Sequence, residues 1–143
     1  MTEFVVETDK GTYANHEITL ALFHDLVGRL SRNDVDFMVL QPDEPIRGSA
    51  YLQVLGAFMV ETRLLVEGGG FMQYSYETDD ADEVLSMFLG YWQRGELPAV
   101  DQWEDITRSL QKPSSKGLFE RMRRIFHKDD RPAQVPIDDA MRP

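Results

Sequence analysis

The chain has 143 residues and no cysteine, and its 42% apolar and 10% aromatic side chains suffice for one folded core, so disulfides, thiolate metal sites and cysteine nucleophiles are excluded. The net charge of −10 is unevenly spread, with 20 acids and 6 bases in residues 1–107 against 5 acids and 9 bases in residues 108–143. A field as negative as that of the front part repels nucleic acid phosphates and speeds encounter with basic proteins.

The opening stretch, "MTEFVVETDK", has acids where a secretory signal would carry a positive start and a long apolar run, so a cytoplasmic location is expected. Within it "EFVVET" reads as a strand, and after the turn-like "DKG" Asn15 is expected to cap a helix. Ile18, Leu22, Phe23, Leu26, Val27 and Leu30 then recur at helical spacing on one stripe. "DFMVLQ" reads as the next strand, and "PDEPIRGSA" as a loop, because two prolines and a glycine cannot serve a continuous ladder. "YLQVLG", "FMVETRLLVE" and "FMQYSYET" follow as strands separated by glycine-bearing breaks.

The triplet Gly68, Gly69 and Gly70 precedes a strand, whereas a phosphate cradle requires glycines that lead into a helix N-terminus. It is therefore read as a three-residue hairpin loop, which pairs Leu65 with Gln73, Arg63 with Ser75 and Glu61 with Glu77. This alignment separates an apolar from a polar face, and a one-residue slip would mix them. The preceding hairpin pairs Val54 with Val60, Leu52 with Thr62, Gln53 with Glu61 and Tyr51 with Arg63. Tyr51, Gln53, Glu61, Arg63, Gln73 and Ser75 then share one face of three adjacent strands. That face is either a solvated outer surface with cross-strand pairs or a surface for recognising a protein or a small polar ligand. On either reading it carries no core side chains, so Arg63→Glu is expected to alter binding far more than stability.

A second helix is signalled by Asp80 with Glu83 three residues on as a capping box, an apolar stripe of Ala81, Val84, Leu85, Phe88, Tyr91 and Trp92, and Gly95 and Pro98 as its stop. Two helices, each with one apolar face, need a sheet to cover. The expected fold is a two-layer α+β domain: an antiparallel meander of four to five strands with two helices on one face. Trp103 is expected to anchor against the sheet edge.

Beyond the acidic domain of residues 1–107, residues 108–116 read as a linker and residues 129–143 as a disordered tail. Between them residues 117–128 form an amphipathic pattern. Leu118, Phe119, Met122, Ile125 and Phe126 lie on one face, with Arg121, Arg123 and Arg124 around it. A helix this short needs a surface to dock on: its own domain, a second copy in a homodimer, another protein, or the anionic inner membrane.

His16, His24 and His127 are too scattered for a metal site, and the acids of "TDDADE" are explained by a helix start, so no metal or cofactor is expected. No serine, histidine and acid order suggests a triad, and Arg63 would keep a Glu61–Glu77 pair ionised, so no catalytic residue is assigned and the chain is read as a non-enzyme.

The strand with Tyr51 and Gln53, the next with Glu61 and Arg63, the hairpin leading to Tyr74, and Trp103 before Asp105 resemble small bacterial proteins, including immunity-type partners of secreted polymorphic toxins, over about residues 36–107. The resemblance implies a binding protein with a variable partner surface; with the acidic charge and no catalytic constellation, the expected function is a non-enzymatic protein-binding module that sequesters a basic partner protein, without nucleic acid. The alternative is a cytoplasmic domain attached to the membrane, or to an assembly there, by residues 117–128.

Overall fold

The computed structural model describes residues 1–111; the basic helix and tail expected beyond them lie outside the described residues. Seven strands form one open antiparallel sheet: β1 Phe4–Thr8, β2 Gly11–Tyr13, β3 Phe37–Pro42, β4 Ser49–Leu55, β5 Met59–Leu65, β6 Phe71–Glu77 and β7 Glu104–Asp105, in the spatial order β2-β1-β3-β4-β5-β6-β7. Two helices, α1 Leu20–Ser31 and α2 Ala81–Arg94, lie on one face, and a short α3, Thr107–Gln111, occupies the start of the expected linker. The α+β class stands, but the sheet is larger than four to five strands. The two additions are edge strands of three and two residues, too short to show an alternating pattern.

Alternation along the strands decides which side the helices cover. Phe4, Val6, Met38, Leu40, Leu52, Val54 and Val60 point to one side and pack against Phe23, Leu26, Val27 and Leu30 of α1 and Val84, Phe88 and Tyr91 of α2. Phe23 joins the two helices, with its ring centroid 5.2 Å from that of Trp92 and 6.3 Å from that of Phe88. Tyr76 stacks on Trp103 at 5.4 Å with the planes 16° apart, so the tryptophan does anchor the chain at the sheet edge.

The β4–β5 register is as expected, with Val54 opposite Val60, Gln53 opposite Glu61 and Tyr51 opposite Arg63. The β5–β6 register is displaced by two residues from the expected one: Leu65 pairs with Phe71, Arg63 with Gln73 and Glu61 with Ser75. A displacement of two keeps every side chain on its face, which is why the face assignment survives the error. The loop is five residues, Val66 to Gly70, closed by the Val66 N–H on the Gly70 carbonyl at 3.1 Å. Gly68 and Gly69 turn the chain at φ of 89° and 90°, a region that a side chain would disfavour.

Both helix starts differ in detail from the sequence reading. Thr19, not Asn15, caps α1 through a bond from the Leu22 N–H at 3.1 Å, while the Asn15 side chain accepts from the Phe4 N–H at 2.8 Å and fixes the start of β1. Asp80 caps α2, accepting from the N–H groups of Asp82 and Glu83 at 3.0 and 3.3 Å. Glu83 does not close the capping box; its carboxylate accepts from the Tyr76 hydroxyl at 2.7 Å and the Thr78 hydroxyl at 2.8 Å, tying the helix to β6. Gly95 ends α2 at φ 62°, as its position suggests, and the Arg47 guanidinium donates to the Gly95 carbonyl at 3.2 Å, where the helix dipole favours a cation.

Because Asp80 satisfies two otherwise orphaned donors, Asp80→Ala is expected to cost about 1 kcal/mol, read as a lower urea midpoint with an unchanged slope.

Candidate functional site

The six side chains singled out in the sequence do share one face of β4, β5 and β6, on the side away from α1 and α2. Tyr51, Gln53, Glu61, Arg63 and Gln73 form a connected network. The Glu61 carboxylate oxygen Oε1 accepts from Gln53 Nε2 at 2.9 Å and from Gln73 Nε2 at 3.2 Å. The Gln73 carbonyl oxygen in turn accepts from Arg63 Nε at 2.8 Å and from the Tyr51 hydroxyl at 3.2 Å. This amide has one workable orientation: its NH2 must face the carboxylate and its oxygen the two donors. The Arg63 guanidinium lies 3.9 Å above the Phe71 ring and 5.7 Å from the Tyr51 ring, a cation–π arrangement that contributes about 0.5–1 kcal/mol where water still has access.

Burial corrects the picture of an open, solvated face. Gln53, Glu61 and Gln73 are 2%, 1% and 0% exposed, Ser75 is buried, and Tyr51 and Arg63 are half-buried. The same side of the sheet also carries a second apolar cluster, Phe37, Val39 and Leu55, with Tyr51, Met59 and Leu110 packed against it. The expectation that this face lacks core side chains is therefore wrong. The run "FMVL" in β3 is apolar at every position, the pattern of a strand buried on both sides, and that signal could have found Phe37 and Val39.

Glu61 and Glu77 are not opposite one another, since Ser75 stands across from Glu61 and Glu77 pairs with Met59 at the far end of the hairpin. Thr107, which the sequence reading passed over, completes the site's backbone. Its hydroxyl accepts from the Gln73 N–H at 2.8 Å, and its own N–H donates to Asp105 Oδ1 at 2.9 Å. Bonds from Thr107 hold the Asp105 carboxyl below the usual carboxylate range, while burial raises the Tyr51 hydroxyl above its ordinary value.

On the helix side a second polar cluster is closed on itself. Ser49 Oγ lies 2.8 Å from both Thr62 Oγ1 and the Tyr91 hydroxyl, and Thr62 Oγ1 donates to the Tyr51 carbonyl at 2.7 Å. The register shift between Ser49 and Tyr51 turns that carbonyl toward the hydroxyls. Burial pushes the Tyr91 hydroxyl up to about 12. An open cleft of about 750 Å³ lies between the loop before β4 and the end of α2, lined by Phe4, Asn15, Ile46, Arg47, Trp92 and Arg94; its cations are engaged, Arg47 by Gly95 and Arg94 by Glu96 at 3.0 Å. Among the described residues, no group of three or more His, Cys, Asp or Glu side chains is placed to hold a metal ion.

Comparison with protein-family models, with curated proteins and with solved structures gives no match for this chain. The likeness to immunity-type partners rests on the sequence motifs alone.

Two outcomes follow from the buried clusters. Arg63→Glu would put a second carboxylate beside Glu61 and leave the Gln73 oxygen short of a donor, so a loss of about 2 kcal/mol in urea unfolding is expected, contrary to a purely surface role. The Tyr91 hydroxyl is held above its ordinary 10.0, so its contribution to stability is complete below pH 10.0 and is lost as pH rises toward about 12. Tyr91→Phe should flatten that alkaline decline in thermal melts and remove the latest component of the tyrosinate absorbance titration.

Proposed function

We propose that residues 1–107 form a binding module for a basic protein, in the manner of an immunity-type partner that sequesters its target one to one. The observation that carries this reading is a corner of the fold where an aromatic stack and several exposed carboxylates occur together. The half-buried rings of Tyr76 and Trp103 face each other; exposed Asp79 and Asp82 follow at the junction of β6 and α2 and Asp105 lies on β7, while the exposed Glu77 and Glu104 of the same corner alternate to the other face of the sheet. Aromatic side chains rimmed by charge are the composition of interaction hot spots, and the sign of the rim selects a basic partner and steers its approach.

The buried amide and carboxylate network on the second face supports the reading indirectly. Its groups are engaged with one another, so they build the scaffold rather than the contact surface. No described helix is long and apolar enough to cross a membrane.

The test begins with capture by the immobilised full chain from extracts of its own cells, followed by calorimetry with the purified protein that is retained. Replacing Glu77, Asp79, Asp82 and Glu104 together by Asn is expected to weaken binding tenfold or more, about 1.4 kcal/mol, and to flatten its dependence on salt between about 50 and 300 mM. Asp80 is left in place because it caps α2. A partner without basic character, or an affinity indifferent to these four residues, would remove the proposal.

A further inference from the structure

The second face of the sheet is deeply buried at its centre, and among the described elements α3 packs on it through Leu110. Phe37 on β3 and Glu61 on β5 are each 1% exposed, and Val39, Leu55, Gln53 and Gln73 lie between and beside them. β3 to β6 span three strand spacings, about 14 Å across, and each of these strands runs about 20 Å or more. α3 has five residues, about 7.5 Å of helix, and sends Leu110 onto this face. A cover of that size shields one corner of such a surface.

We propose that residues 117–128 of the same chain dock on this second face, across β3–β6. Four observations select this occupant. First, α3 delivers the chain there: Leu110 already packs with the Phe37 cluster, and residues 112–116 can reach at most about 17 Å before the segment begins. Second, twelve residues of helix are about 18 Å long, close to the width of β3–β6. Third, the stripe of Leu118, Phe119, Met122, Ile125 and Phe126 matches an apolar patch made of Phe37, Val39, Leu55 and Met59. Fourth, Arg121, Arg123 and Arg124 flank that stripe, and the patch adjoins the buried Glu61 carboxylate, an acceptor suited to an arginine donor. The covered face is the one opposite α1 and α2 and does not depend on any partner, so its test stands apart from that of the proposed function.

The absence of native cysteine makes the test direct in the full-length chain. Met122→Cys is combined in turn with Met59→Cys or Phe71→Cys on the second face, and with Leu22→Cys on α1 as the control, and each double variant is treated with a short bis-maleimide. Joining to position 59 or 71 within monomers, several-fold faster than to position 22, is the expected result. As a second measurement, Met122→Asp in an otherwise native chain should speed peroxide oxidation of Met59 several-fold. Preferential joining to position 22, covalent dimers in place of linked monomers, no joining at all, or flotation of the full chain with phosphatidylglycerol vesicles would each overturn the proposal.

Discussion

A carboxylate at the middle of a sheet face imposes conditions on everything around it. Glu61 is buried, so its charge must be met by donors held at fixed distances, and the strands on either side supply them: Gln53 from β4 and Gln73 from β6. Both donors work because the three strands are in the one register that sets positions 53, 61 and 73 on one face. A slip of one residue in either hairpin would turn an amide to the helix side and leave the carboxylate short of a donor, at a cost of about 1–3 kcal/mol for each buried group left unmet. The network thus acts as a register lock that apolar alternation alone would provide less strictly.

The opposite face solves a related problem with hydroxyls. α2 packs Tyr91 fully into the interface, and its hydroxyl would be costly there without Ser49 and Thr62. The irregularity in β4 between Ser49 and Tyr51 turns a carbonyl toward those hydroxyls, so a local defect in the ladder becomes part of the helix docking site. The two polar clusters meet at Tyr51, whose carbonyl serves the helix side and whose side chain serves the Glu61 side. Changes on one face should therefore be felt on the other.

Much of this was legible in the sequence, for reasons that differ by element. The faces of β4, β5 and β6 followed from alternation, a property of each strand by itself, and they held even though the β5–β6 pairing was displaced by two residues. The displacement was not legible because loop length and register trade against each other in steps of two without moving a side chain across the sheet. Asp80 was legible as a cap, but Glu83 had an alternative partner in Tyr76 that proximity in sequence does not reveal. Burial on both sides of β3 is written in the unbroken apolar run "FMVL", whereas the burial of Gln53, Glu61 and Gln73 is hidden because amide and acid side chains read as surface unless their partners are known.

The charge asymmetry connects the two proposals. Residues 1–107 contain 20 acids and 6 bases, and the basic segment that would cover the second face belongs to a tail with 5 acids and 9 bases. Docking it reduces the acidic excess without erasing it, because the whole chain still carries −10. The reduction is also local. It falls on the face of Glu61, on the far side of the sheet from α2, whereas Asp79 and Asp82 remain at the β6–α2 corner in solvent. With screening over about 8 Å at physiological ionic strength, solvent-exposed charges on opposite faces of the sheet interact only weakly. A chain can therefore use its own arginines to complete its core and keep a negative surface for a basic partner, provided the two charges are separated by the thickness of a sheet.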